Sequence, residues 1–194
     1  MKMNEVLDKI LNEYGIKSPE NRKLFRELSA IKTYSKNREV LAEGKKNDME
    51  YLLLSGVLHR YNISDKGDII TTGFYLPGSV ITPHFARTTS GKNIFNLQAL
   101  TELNLVEIPV EVLDKLRTEY AEFREFGQRV LETELSRTFF NEVIYRSYNA
   151  KERLLAMREQ YPNLENLVPH NVIASYLGIT NVSFSRLRNE LSKK

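Results

Sequence analysis

The spacing of apolar residues changes twice along the chain. In the opening stretch Val6, Leu7, Ile10, Leu11 and Tyr14 recur every three to four positions, the period of a helix with one buried face. Gly15 follows as a stop. Ser18 then offers an N-cap with Pro19 at the first helical position, and Leu24, Phe25 and Leu28 share a second face. From about Ile31 to Ile108 the pattern becomes short runs rich in β-branched and aromatic residues: Glu50 to Leu54, Val57 to Ile63, Ile69 to Tyr75, Ile94 to Leu100 and Leu103 to Ile108. Turn signals separate them at Gly44, Ser55-Gly56, Asp65-Lys66-Gly67, Pro77-Gly78 and Ser90-Gly91. Strands at this spacing predict a sandwich or a jelly-roll barrel.

After Pro109 the helical period returns. Val112, Leu113 and Leu116 form a short amphipathic piece. A longer helix is predicted from Ala121 to Tyr148, with Phe123, Phe126, Val130, Leu131, Leu135, Phe139, Val143 and Ile144 apolar. That stripe is broader than packing on one domain requires, which predicts both cover for the barrel and a seam with a second copy. Phe123, Phe126, Val130, Leu131, Leu135 and Phe139 are the expected dimerisation residues. Asn149 with Glu152 three positions on reads as a capping box opening another helix that ends near Tyr161-Pro162. The expected organisation is α+β: a β-roll with short N-terminal helices over 1–120, a long dimerisation helix over 121–148, and a C-terminal domain over 149–194.

The segment from His170 to Leu191 fits a helix-turn-helix position by position. Two helices crossing steeply through a short turn need a small residue at the crossing, Ala174, and a residue tolerant of positive φ four positions later, Gly178. Thr180 then caps the second helix. Ile173, Leu177, Phe184, Leu187 and Leu191 fall on the inner faces. Asn181, Val182, Ser183, Ser185, Arg186 and Asn189 are left outside, a set of amides, hydroxyls and a guanidinium suited to base edges and phosphates, with Val182 suited to a thymine methyl. An ordinary surface helix would carry more Glu and Lys there.

Charge sharpens this picture. The net charge is only +3, but from His170 onward Arg186, Arg188, Lys193 and Lys194 face one acid, Glu190, so the whole excess sits on this segment. Arg188, Lys193 and Lys194 are therefore expected at the phosphate backbone, beside Thr180 and the outer-face residues. Apolar residues at 41% and charged residues at 27% are those of an ordinary globular protein. The absence of cysteine excludes disulfides, thiolate zinc sites and cysteine-held iron–sulfur clusters. No apolar run approaches the roughly 18 residues of a membrane span, and Glu5 and Asp8 beside Lys2 do not make a signal peptide, so a cytoplasmic protein is expected.

Glu152-Arg153-Leu154, Tyr161-Pro162, Val168-Pro169, the run Ile173 to Thr180 and Ser185-Arg186-Leu187-Arg188 resemble the CRP/FNR family, regulators related to the cyclic-AMP receptor protein. The similarity in element order covers essentially the whole chain and looks like a subgroup common in Bacteroidetes-type bacteria. It implies a cyclic-nucleotide-binding-like β-roll, homodimers joined by the long helix and a winged helix-turn-helix. It also implies near-palindromic operators on double-stranded DNA, and recruitment or blocking of RNA polymerase.

The chain departs from that pattern in two places. Cyclic-nucleotide-binding members hold the ribose with a Gly-Glu pair and the phosphate with an Arg-Ser-Ala run; here Thr82-Pro83 and Asn93-Ile94-Phe95 stand at those positions. A phosphate without its arginine loses roughly 1.5 to 3 kcal/mol, about tenfold to hundredfold in affinity, so no response to cyclic AMP is expected. Thr82, Pro83, Arg87, Lys92 and Asn93 remain as candidate pocket residues for some other effector, with solvated loop charges as the plainer reading. On the second helix Asn181 and Val182 replace an arginine and a glutamate, while Arg186 matches. Asn suits adenine, so an operator richer in A·T facing Asn181 and Val182 is expected.

Two other classes fit a jelly roll: a cupin-type metal enzyme and a pure small-ligand-binding module. The first needs two or three converging histidines and an acid. The chain has only His59, His84 and His170, and His59-Arg60-Tyr61 lacks the second histidine of such a pair. Lys66-Gly67-Asp68 reads only as a turn. No nucleophile triad, P-loop or dinucleotide fingerprint occurs, so neither catalysis, a cofactor nor a metal is expected.

Overall fold

The computed structural model describes residues 3–82 and 88–192. Helices α1 (Met3–Glu13) and α2 (Pro19–Glu27) open the chain, and Ser18 caps α2 by accepting from the Asn21 N–H. Strands β1 (Ala30–Tyr34), β2 (Glu39–Leu41), β3 (Met49–Ser55), β4 (Leu58–Ile63), β5 (Ile69–Tyr75), β6 (Val80–Ile81), β7 (Asn96–Ala99) and β8 (Leu103–Pro109) follow. They form two antiparallel sheets, ordered β1-β8-β3-β6 and β2-β7-β4-β5, which face one another as a roll. The sequence marks β3, β4, β5, β7 and β8. It does not mark β1, whose residues are mostly exposed at a sheet edge, nor the two short strands β2 and β6.

The unbroken apolar run of β3 has a two-sided cause. Tyr51 and Leu53 point into the roll with Leu103 and Leu105, whereas Leu52 and Leu54 point outward with Val106 and Ile108, against the helices. The outer layer holds α1, α2, α3 (Val110–Glu119) and the first half of α4 (Ala121–Ser147). Buried Glu50 on β3 accepts from the Arg117 guanidinium of α3 at 2.9 and 3.0 Å. Gly127 of α4 makes room for that arginine: a Cβ there would lie 2.9 Å from Arg117 Nε.

The stripe on α4 resolves into two opposed faces, which corrects half of the dimerisation set. Phe123, Phe126 and Val130 are buried in this chain's own core, with Phe123 and Phe126 packed on Phe25, and so are not available to a second copy. Glu134, Arg137, Asn141 and Ile144 continue that inner face; Arg137 pairs with Glu134 at 2.6 Å and lies 4.5 Å over the Tyr75 ring. The opposite face exposes Leu131, Leu135 and Phe139, together with Phe140 and Val143. A seven-residue apolar spacing followed on one side only would have separated these two rows.

Past α4, the capping box at Asn149 forms as expected and starts α5 (Ala150–Gln160), followed by α6 (Leu164–Leu167), α7 (His170–Leu177) and α8 (Asn181–Leu191). These helices share one core, Leu154, Met157, Leu164, Ile173 and Phe184 among it, with Val57, Phe74 and Leu100 on the outer face of the second sheet. Among the described residues no strand follows α8. No helix of the described residues is long and apolar enough to cross a membrane.

Candidate nucleic-acid interface

The turn between α7 and α8 forms as the residue types require. Gly178 takes φ 65° and donates its N–H to the carbonyls of Ala174 and Ser175, and the Ile179 N–H also reaches Ala174 O, at 3.0 Å. Ala174 is buried at the crossing. Thr180 closes the first turn of α8, accepting from the Ser183 N–H at 3.2 Å. Phe184 anchors α8 with no exposed surface, edge-on to His170 at 5.4 Å, while Leu187 and Leu191 are half-buried against the same core. The first turns and the outer side of α8 are thereby fixed relative to α7.

The outer face carries what the sequence placed there. Asn181, Val182, Ser185, Arg186 and Asn189 are exposed, and Ser183 is half-buried with its hydroxyl 3.0 Å from the Thr180 hydroxyl. Val182 is 60% exposed, an unusual state for a helical valine and one that a methyl-lined groove would relieve. Arg186 has no ion-pair or hydrogen-bond partner among the described residues, so its whole donor fork is available. Arg188 has partners within the chain. Its Nε pairs with Glu165 at 3.1 Å, Nη1 lies against the His170 ring, and the guanidinium sits 5.8 Å from Phe184. With Arg158 also on Glu165, it fastens α8 to α6 instead of standing free for phosphate. Lys193 and Lys194 lie outside the described residues.

Of the candidate effector residues, Thr82, Lys92 and Asn93 are among those described. Thr82 is buried, and Asn93 is partly engaged: its side-chain amide donates to Ala42 O at 2.9 Å and its N–H to Lys45 O at 2.8 Å, while its buried Oδ1 has no hydrogen-bond partner among the described residues. Lys92 is exposed in a loop bridged to Lys46. Pro83, Arg87 and His84 lie outside the described residues. Phe95, in place of the family's phosphate-binding run, lies 5.3 Å beneath the Arg60 guanidinium. His59 is buried on β4 beside Tyr61, and burial pushes its imidazole down to about 4, partly offset by Gln98 across the sheet. Among the described residues no group of three histidine or acidic side chains stands close enough to hold a metal.

One contact had no signal in the sequence. Ser175 of α7 donates its hydroxyl to Ile69 O at 2.8 Å and accepts from the Thr71 N–H at 3.0 Å. A single side chain thus satisfies a carbonyl and an amide on the open edge of β5, and so ties the helix pair to the roll.

A β-roll, a long helix with an outward apolar face and a C-terminal helix-turn-helix define the architecture of a DNA-binding regulator. Comparison with known proteins agrees. The chain is 26% identical over 173 residues to the anaerobic regulatory protein of Haemophilus influenzae, covering 84% of this chain and 66% of that one. It is 28% identical over 173 residues to the fumarate and nitrate reduction regulatory protein of Escherichia coli, covering 84% and 68%. The chain therefore spans about two thirds of the length of these curated relatives. The solved structure of FixK2 from Bradyrhizobium japonicum superposes with a TM-score of 0.74 at 19% identity, covering 85% of each chain. No family model matches the chain. In sequence and in fold the chain is similar to transcriptional regulators of the CRP/FNR type.

Proposed function

We propose that this protein is a homodimeric, sequence-specific regulator that reads DNA with the outer face of α8. The observation that carries this reading is the division of α8: Phe184, Leu187 and Arg188 are engaged inward, while Asn181, Val182, Ser185, Arg186 and Asn189 are presented outward with an unpaired guanidinium. Leu131, Leu135, Phe139, Phe140 and Val143 support a seam between two copies of α4, since five exposed apolar side chains on one helix face favour burial. Two α8 helices related by that two-fold axis enter successive major grooves about 34 Å apart on a near-palindromic site. In this reading the roll over 1–120 senses, the helix over 121–148 joins the copies, the segment over 149–194 binds DNA, and RNA polymerase is the partner acted upon.

Cyclic AMP is not the signal in this proposal. The Asn93 side-chain amide already donates to Ala42 O, and Phe95 brings an apolar ring where the family's phosphate-holding run stands. Arg186→Ala tests the DNA-reading face. Loss of one base-contacting arginine costs about 1–3 kcal/mol, a fivefold to hundredfold drop in specific affinity by mobility shift, with an unchanged circular dichroism spectrum. Wild-type affinity in that variant would contradict the role given to α8.

A further inference from the structure

Between β5, α4 and α7 lies a cavity of about 480 Å³, within the range that admits a small organic molecule. Ile70 and the ring of Tyr145 line it, and the Tyr145 hydroxyl is already donated to Tyr176 O, so that residue offers only its aromatic surface. Thr71 and Asn141 also line it. Both are at least nine-tenths buried, and neither Thr71 Oγ1 nor Asn141 Oδ1 has a hydrogen-bond partner among the described residues. An unmatched buried polar atom is unfavourable by itself; the Thr71 hydroxyl can donate to a carboxylate oxygen, and Asn141 Oδ1 can accept from a ligand hydroxyl.

The wall carries one cation, Arg60, and one acid, Glu142. Arg60 donates to the hydroxyl and the carbonyl of Thr72, both at 3.2 Å, and pairs with no carboxylate among the described residues. Glu142, also at the wall, is engaged with Arg146 at 3.0 Å. A half-buried guanidinium held only by neutral acceptors retains donors that an anionic oxygen would take preferentially.

We infer that this cavity is a binding site for a small organic monocarboxylate with an apolar body, its carboxylate on Arg60, and that its occupancy sets the seat of the helix-turn-helix on the roll. The site differs from the loop residues Thr82, Lys92 and Asn93. Its coupling to the DNA-reading helix runs through Ser175, which bonds the edge of β5 at the cavity wall, and through Gly178, the turn residue, which also lines it. A ligand touching both sides adds contacts to the docked arrangement alone and so favours it over any undocked one. The coupling rests on the proposed DNA-binding function; the binding site does not.

Calorimetry on the full chain tests the site with hexanoate, octanoate and para-hydroxyphenylacetate, each beside its primary amide. At least one carboxylate is expected to bind about tenfold more tightly than its amide. Arg60→Gln should remove that preference, and Ile70→Trp, which fills the cavity from an exposed position, should abolish binding. No binding by any of the three acids, equal binding of acids and amides, or unchanged binding in Ile70→Trp would overturn the site. For the coupling, the bound acid is expected to shift DNA affinity severalfold in the wild type and not in Ser175→Ala; an equal shift in both would overturn it. Because calorimetry needs no DNA, failure of DNA binding and failure of the site are distinguishable.

Discussion

Glu50 is a carboxylate without exposed surface, and its neutralisation by Arg117 governs how firmly α3 is held to the roll. Removing only the guanidinium takes from this buried charge the bidentate cation that the structure gives it. Arg117→Met is therefore expected to lower unfolding stability by about 3–5 kcal/mol in urea, while Glu50→Leu combined with Arg117→Met recovers most of that loss. His59 acts through pH. Its folded pKa of about 4 lies below the ordinary value of 6.5, so the unfolded chain takes up the proton first. The stability that neutral His59 contributes is whole above about pH 6.5 and is lost as pH falls toward 4, by roughly 3 kcal/mol. Denaturation midpoints measured across that window should fall more steeply in the wild type than in His59→Gln.

At the scale of elements, the two faces of α4 make separable predictions. Leu135→Glu with Phe139→Glu changes only exposed positions, so folding stability should move by about 0.5 kcal/mol or less per site while sedimentation shifts from dimer to monomer. A stable dimer in that variant would place the seam elsewhere. Gly178→Ala meets no atom within 4 Å of its new Cβ, so its penalty is that of the left-handed backbone alone, about 1–2 kcal/mol in thermal unfolding. These elements also show what was legible in the sequence. The turn glycine, the Thr180 cap and the Asn149 capping box could be read because each rests on local backbone chemistry. The division of α4 could not, because its helical stripe reports total apolar width, not which neighbour covers each side. The engagement of Arg188 could not be read for a related reason: Glu165 and His170, which engage it, are 23 and 18 residues away. The edge of β5 and the Ser175 hydroxyl that caps it are likewise joined only by the tertiary fold.

For the whole molecule, the arrangement is a chain of fastenings: α3 and α4 on one sheet of the roll, α5 to α8 on the outer face of the other, and Ser175 at the β5 edge. A dimer through α4 would carry two such units, and the position of each α8 would follow from how its helix pair sits on its own roll. Selection of full-length protein on random duplex DNA, followed by footprinting of the enriched site, tests that account most directly. It predicts a near-palindromic site with half-sites about one helical turn apart, 10–10.5 base pairs, richer in A·T where Asn181 and Val182 face the groove, and unprotected in Arg186→Ala. Enrichment of no sequence, or of a site without dyad symmetry that Arg186→Ala still protects, would contradict it.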